Sequence, residues 1–480
     1  MWENEGMHFS KLSSFGTLFI LGSHLLLGAT ATPPATPREA IAGDALINEG
    51  GYHLLKEMSD RMGPRMIGTS EHAMSLDFLE AELNALGIQT RRQDFEFPGW
   101  IRGKAEVSLL EPMQREIRAV ALGYTGTFLD VTGSLVYVDN RDFEKLDLEA
   151  LRGKVLLLRQ NLTFTTEELE TLAEDYNVKG ALLTNRLGGG QVLARTANHH
   201  GIPTPFPMFS ITQEEGLWMM RKLQSGENLE IRLSTTSQNE KMKATNLIAT
   251  LPGRSDEKIL LGGHFDSWDL GQGAMDNGLG VAQVFEAARL LKAHSPGNEH
   301  TVEFIWFDAE EFGLWGARYY AEVADLDPVR AMVNLDMVGE PIAINAMGFD
   351  GLVPVLEAYQ ERLGGWSFSR RVANKPWIGS DHHPFIMKGV PSITFNAPID
   401  ADDVRYYHDM ADTFDKVDRE TLARASAIIT LLIYDLANDT EPRVPRLSEE
   451  ATAQLFRDAG LEDRMRRRGG WPFGEAESGD

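Results

Sequence analysis

The sequence predicts an α/β fold: a mostly parallel central sheet flanked by helices, with a smaller mixed α/β domain inserted into it. Three observations carry this expectation. From Asn246 onward, apolar strand-like runs alternate with segments of helical period, the pattern of a parallel sheet covered on both faces. Between about Leu109 and Ser237 the texture changes to short strands and turns, as in a small domain interrupting a larger one. At 480 residues the chain exceeds one ordinary core, so two domains are the natural partition.

In chain order, residues 1–31 read as an export signal. Phe15 to Ala31 is apolar and ends in the small-residue triplet Ala29-Thr30-Ala31. It is short for a membrane span, and an uncleaved anchor is the alternative reading. Glu3 and Glu5 make the leader acidic where a basic one is expected; a start at Met7 would leave Lys11 as its only fixed charge.

Residues 32–108 form the first part of the main domain. After a Pro-rich linker (Thr32 to Pro37), a helical stretch spans Arg38 to Arg61. A second spans Ala73 to Leu86, with Leu76, Leu79, Leu83 and Leu86 at helical spacing and a stop at Gly87. Thr90 to Phe97 reads as a strand. The insert, 109–240, has strands at Ser134 to Val138, Lys154 to Leu158 and Gly180 to Thr184. Its helices run over Thr166 to Asp175, with Thr166 as N-cap, and Glu215 to Leu223.

Residues 241–440 complete the main domain. Strands are predicted at Lys258 to Gly263, Val302 to Phe307, Ala331 to Leu335 and Ser392 to Phe395. Helices are predicted at Gly278 to Ala293, Leu314 to Val323, Val353 to Leu363 and Arg419 to Leu436. Val281, Val284, Phe285, Ala288 and Leu291 make one apolar face of the first helix. The tail, 441–480, is expected to add little to the core.

Composition narrows the class. With 42% hydrophobic and 24% charged residues the chain is globular in type. A net charge of −25 argues against nucleic acid or anionic membrane as partner; it reads as a solvated surface. The absence of cysteine excludes disulfides, thiolate metal sites, cysteine nucleophiles and a lipid-anchored cysteine. Export without disulfides fits a secreted or periplasmic protein, with no stable membrane insertion once the signal is cleaved. Asn161-Leu162-Thr163 and Asn438-Asp439-Thr440 match the glycosylation acceptor pattern, which also arises by chance.

Five metal-ligand side chains recur where predicted strands give way to loops: His264, Asp276, Glu311, Asp336 and His408. Two imidazoles and three carboxylates suit zinc or a similar divalent ion. With one carboxylate shared between two ions, each metal has three protein ligands and an open position, the layout of a catalytic rather than a structural site. Ligands in open α/β sheets gather at the carboxyl ends of strands. His264 follows Leu260-Leu261, Glu310 and Glu311 follow Ile305-Trp306-Phe307, and Asp336 follows Val333-Asn334-Leu335.

Asp266 lies two residues past His264, placed either to accept its second imidazole N–H or to serve as a plain turn residue. Asp412, four residues past His408, is placed to support it similarly from the following turn. Adjacent Glu310 and Glu311 can point differently, one to metal and one to substrate as proton shuttle; the plain alternative is an acidic helix start. His199, His200, His294 and His300 sit in polar loop-like contexts and read as surface. Of His382 and His383, one lines a substrate pocket or both are structural.

With these residues in place, the chain over about 40–440 resembles the di-zinc exopeptidases that include aminopeptidase Y and plasma glutamate carboxypeptidase. The resemblance lies in HFDSWDLGQGAMDNG, FDAEEFGLWGA, NLDMVG, SDHHPF and YYHDMADTFDKVD, in that order. GKVLLLRQ, KGALLTN and IPTPFPMFSIT resemble the protease-associated domain often inserted in that family.

The resemblance implies the zinc-exopeptidase fold and two zinc ions per chain. His264, Asp276 and Asp336 would hold one ion, and Asp276, Glu311 and His408 the other, with Asp276 bridging. Glu310 would be the general base, supported by Asp266, and Asp276-Asn277 a cis peptide. Asn277, Asp381 and His382 are the candidate substrate contacts. The implied partner is a peptide or dipeptide, with a homodimer as candidate assembly. Aminopeptidase or dipeptidase action is expected because SDHHPF has the family's common form. Carboxypeptidase action is the alternative, because GHFDSWDLGQGAMD is very like that branch. Two further classes are a one-metal glutaminyl cyclase, which His264 argues against, and a non-catalytic relative, which the complete ligand set argues against.

Overall fold

The structure is a computed structural model that describes residues 35–159 and 162–474. The leader at 1–31 and the acceptor residue Asn161 lie outside the described residues.

The first sheet has seven strands, in the order 89–101, 238–251, 301–307, 258–264, 329–334, 392–396 and 343–345. Its four central strands, 301–307, 258–264, 329–334 and 392–396, run parallel. Antiparallel strands close both sides. The parallel strands are almost wholly buried, as Ile259 to His264 and Val302 to Phe307 illustrate. Such strands need near-continuous apolar runs because helices cover both faces. Leu279–His294 and Arg419–Ala437 pack on one face, with Val281, Val284, Phe285, Ala288 and Leu291 in the shared core. The face expected of the first of these helices is therefore the buried one.

The second sheet has eight strands drawn from Ala105 to Thr236. Its central strands Thr127–Val138, Val155–Leu158, Gly180–Thr184 and Met208–Ile211 run parallel. The chain leaves the first sheet at Ile101 and returns at Gln238, and these two residues are ladder partners at the end of one long antiparallel ribbon. Adjacent exit and return points let a whole sheet be interposed without disturbing the ladder. Both sheets belong to one compact unit, Pro37–Asp480. Phe97 and Trp100 of the ribbon share a cluster with Leu109 and Ile231 on one side and Trp268 and Phe312 on the other.

Several local expectations shift. The helical stretch from Arg38 breaks into Pro37–Asn48 and Gly50–Arg61 at Glu49, whose φ of 48° is left-handed. The cap of Thr166–Glu174 is Thr165, not Thr166: its hydroxyl accepts from Glu168 N–H while Glu168 returns a bond to Thr165 N–H, a capping box. The largest correction concerns the tail. Helices Glu449–Asp458 and Glu462–Arg467 bury Phe456 and Met465 in the main core, and Phe473 joins them. A stretch rich in Arg, Pro and Gly therefore conceals an apolar stripe that its composition masks.

Candidate metal centre

Three of the ligands sit where the parallel strands end. His264 is the last residue of its strand, and Asp336 follows Asn334 by two residues. Asp308 to Glu311 follow Phe307 directly. Phe265 N–H donates to Phe307 O at 2.6 Å and Leu335 N–H to Gly262 O at 2.8 Å. The ladder thus continues past the strands and brings three ligand loops level.

The five ligand candidates converge. His264 Nε2 lies 3.0 Å from Asp276 Oδ1 and 3.6 Å from Asp336 Oδ1. His408 Nε2 lies 2.9 Å from Asp276 Oδ2 and 3.0 Å from Glu311 Oε2. Asp276 therefore stands between the two imidazoles with one oxygen toward each. His264 Nε2, His408 Nε2, Asp276 Oδ1 and Glu311 Oε1 are buried with no hydrogen-bond partner. These atoms are close yet not aligned as donor and acceptor, which is how ligand lone pairs around a cation are disposed. Buried polar atoms left unpaired cost about 1–3 kcal/mol each, so a mixed nitrogen and oxygen set of this kind fits a divalent ion such as zinc. Among the described residues, His264, Asp276 and Glu311 place their ligand atoms within 4.8 Å of one another.

Hydrogen bonds from distant elements set the ligands. His264 Nδ1 pairs with the main-chain carbonyl of Asp266 at 3.0 Å, whereas the Asp266 carboxylate is 3.8 Å away. The expected carboxylate contact is thus replaced. Asp266 Oδ1 instead accepts from Glu310 N–H at 3.0 Å and Oδ2 from Glu311 N–H at 3.2 Å. Likewise Asp412 does not support His408: it accepts from Met275 N–H and Asp276 N–H at 2.7 and 3.1 Å. His408 Nδ1 pairs with Ala194 O at 2.8 Å, and Ala194 N–H donates back to His408 O at 3.0 Å. With a carbonyl as its only partner, Nδ1 carries the proton and leaves Nε2 free to ligate. Trp268 Nε1–H fixes Glu311 Oε2 at 2.7 Å.

The backbone is constrained at the same places. Asp276-Asn277 is a cis peptide, and Ala309, Met337 and His408 have φ of 60°, 50° and 55°. Non-glycine residues reach the left-handed region at a cost and cluster at functional sites.

Electrostatics follow from burying acids together. Burial pushes the Glu310 carboxyl well above its usual range, and Glu311, Asp336 and Asp381 add to this against the opposing His264. Burial likewise lifts Asp266 to about 7. Arg65, fully buried, counters the accumulated charge. Its guanidinium is held by the carbonyls of Phe265, Gln272 and Gly273 at 2.7, 3.2 and 2.8 Å. Nothing in its local sequence marks it, because its partners lie about two hundred residues away.

The candidate substrate contacts fare differently. Asn277 is buried, and its side chain is engaged by Leu335 O, Met337 N–H and Gly280 N–H; it ties two ligand loops together. His382 is also enclosed, with Nε2 on Trp377 O at 3.0 Å and its ring against Trp377. Its neighbour His383 lines the cavity instead. Asp381 is buried with both oxygens unpartnered, close enough to the cluster to raise the Glu310 carboxyl. Of the four histidines read as surface, His199 lines the cavity. His300 is buried against Ser255 and Asp439 O.

That cavity, about 320 Å³, is lined by Glu310, Glu311 and His408, by Tyr407, whose ring stacks on His408 at 3.6 Å, and by Leu193 to Thr196 of the second sheet's loop.

An open α/β sheet with converging imidazoles and carboxylates at its strand ends, and a spare glutamate facing a cavity, defines a metallohydrolase. Residues 246–433 match the model described as Peptidase family M28. Aminopeptidase YwaD of Bacillus subtilis is 26% identical, over 93% of this chain and 99% of that protein. Mouse carboxypeptidase Q is 24% identical, over 82% of this chain and 87% of that protein. Among solved structures, the peptidase M28 precursor from Shewanella amazonensis superposes with a TM-score of 0.76 at 24% identity, covering 86% of this chain and 98% of that one. The zinc aminopeptidase of Bacillus subtilis gives 0.66 at 21%, covering 85% and 99%; at these identities both speak to the fold.

Proposed function

We propose that this chain is a zinc-dependent exopeptidase that hydrolyses peptide bonds near chain ends, acting as an aminopeptidase or dipeptidase. The observation that carries the reading is Asp276 placed between His264 and His408, with Glu310 lining the cavity beside Glu311 and His408. His264, Asp276 and Asp336 would hold one ion and Asp276, Glu311 and His408 a second, giving two zinc ions per chain. Bound by these residues, zinc would supply Lewis acidity toward the scissile carbonyl and would lower the pKa of the attacking water. Glu310 takes the proton from that water and delivers it to the departing amine. Its raised affinity for a proton suits both halves of the task. Asp266 aims Glu310 and Glu311 through their backbone N–H groups, and Tyr407 forms part of the wall over the reacting bond.

Carboxypeptidase action is the second reading, favoured by the match to carboxypeptidase Q over most of both chains. The interposed sheet reads as a protease-associated domain whose loop shapes the cavity. The apolar run Phe15 to Ala31, read as an export signal, supports export of the protein; no helix among the described residues is long and apolar enough to cross a membrane.

Replacing Glu310→Gln tests the assignment. Zinc content should remain at the wild-type level while kcat on aminoacyl chromogenic substrates and dipeptides falls by at least ~10³-fold, the scale of a lost general base. Near-normal turnover would remove Glu310 from the role, and loss of metal would make it a ligand.

A further inference from the structure

Away from its metal ligands, the wall of the cavity is basic. Arg195, Arg318, Arg464 and Arg468 line it with His199 and His383, and its only acids are Glu310 and Glu311. The chain holds 71 acidic residues against 46 basic ones, so a carboxylate is easily found. Many arginines elsewhere have one, as in Arg102 with Asp269, Arg115 with Glu215 and Arg289 with Asp44. Among the described residues none of the four cavity arginines forms an ion pair. The nearest substitutes are a 3.4 Å approach of Arg195 Nε to Thr196 O and the stacking of Arg318 on Trp315.

Three separate elements supply these charges. Arg195 follows Ala194, whose carbonyl holds His408. Arg318 is one turn beyond Leu314, whose N–H bonds to Glu310 O. Arg464 and Arg468 come from the tail helix that Met465 anchors in the core. Arg468 O also meets His200 Nε2. Convergence shows in the histidines between them. His199 is depressed to about 3 by burial and then by Arg468, Arg195 and Arg318. His383 is depressed to about 3 by burial, His382, Arg318, Arg468 and Arg464. His383 Nε2 is moreover buried without a partner.

We infer that this wall is an anion subsite that holds a carboxylate of the substrate one residue or so from the scissile bond, so that the enzyme selects peptides presenting a free carboxylate there. Unpaired guanidiniums satisfy themselves best with carboxylates, in bidentate geometry. The cavity offers no uncommitted acid to hold a substrate ammonium, and its size lies at the lower end of ligand pockets, roughly 300–1,000 Å³. A dipeptide fits a cavity of that size and presents a free carboxylate. The carboxylate could be the α-carboxylate of a chain end or an acidic side chain.

The inference rests on the exopeptidase reading for its kinetic arm only. Zinc-loaded enzyme should hydrolyse Ala-Leu with kcat/KM about 10- to 100-fold above that of Ala-Leu-amide if the α-carboxylate is the target. Ala-Glu-amide should exceed Ala-Gln-amide by a similar factor if it is the side chain. The double variant Arg464→Gln/Arg468→Gln should erase the preference through KM, leave Ala-Leu-amide and Ala-Gln-amide unchanged and retain zinc and thermal stability. Equal rates within both pairs would overturn the inference and leave the exopeptidase intact. No hydrolysis of any substrate would overturn the exopeptidase instead. The binding arm then decides alone: by calorimetry, the zinc-loaded protein should bind N-acetyl-leucine at least ~10-fold tighter than N-acetyl-leucinamide. Carboxylate binding by the metal is common to wild type and variant, so an unchanged affinity in the correctly folded double variant would also overturn the inference.

Discussion

Asp266 grips Glu310 and Glu311 by their backbone, one carboxylate oxygen to each N–H, at 3.0 and 3.2 Å. The proton shuttle and a metal ligand are thereby aimed by a single side chain on a neighbouring strand end. Asp266→Asn keeps the shape but turns one acceptor toward an N–H as an amide donor. A fall in kcat of ~10- to 100-fold is expected, with zinc affinity weakened within the same range, as for other groups that orient ligands. Kinetics at saturating zinc separates the two; wild-type values for both would exclude the positioning role.

Trp268 offers a second handle on Glu311. Trp268→Phe deletes the 2.7 Å N–H bond to Oε2 while retaining most of the packing against Phe312. Zinc should dissociate faster, with affinity ~10-fold or more weaker, measured by competition with a chelating dye. Unaltered affinity would mean that His408 and the fold position Glu311 unaided.

Chelation should destabilise the whole chain, because the ligands come from several loops that only the folded state brings together. At free zinc of 100 times Kd the ion contributes about 2.7 kcal/mol. Removal by chelator should lower Tm, and zinc should restore it in a concentration-dependent manner. A Tm indifferent to zinc would contradict a ligand set spanning His264 to His408.

Ala194 links the second sheet to the metal centre. Ala194→Pro removes the N–H that bonds His408 O and disfavours helical backbone at Leu193. Zinc per chain is expected to fall and activity with it, while the parallel strands keep their circular dichroism. Full zinc occupancy in this variant would show that the loop is dispensable.

The N-terminal helix is held partly by Asp44, which accepts from Arg289 at 2.7 Å, from Asn48 at 2.8 Å and from His294 at 2.6 Å. Burial would raise this carboxyl, but those bonds outweigh it and hold it at about 2. A depressed carboxyl contributes stability above its unfolded pKa, ~3.9, and loses it as pH falls through the folded value. Asp44→Asn should therefore be less stable by about 1 kcal/mol at neutral pH. That difference should shrink between pH 4 and pH 2, as followed by urea midpoints. A gap that widened on acidification would reverse the sign and refute the linkage.

Much of the catalytic half was legible beforehand. The strands ending at His264 and Phe307 announced themselves as apolar runs followed by ligand-type residues, and the structure brings their ligands to one rim. What stayed hidden were the partners. Asp266 sits two residues from His264, yet its carboxylate serves Glu310 and Glu311, because a turn directs it away from the imidazole. His199 and His300 looked solvated from their polar neighbours; burial came from elements distant in sequence. Of the substrate contacts the resemblance implies, Asn277, Asp381 and His382, Asn277 and His382 hydrogen-bond to main-chain groups.

The chain alone determined which chemistry is available, since strand period, loop position and ligand type are local properties written residue by residue. Tertiary structure decided which atoms face which. Ala194 and His408 are separated by 214 positions, and the arginines of the cavity come from the insert, a catalytic helix and the tail. Contacts of that range depend on how two sheets and a C-terminal helix pack. Packing is a collective outcome of burial and hydrogen-bond satisfaction that no local pattern encodes.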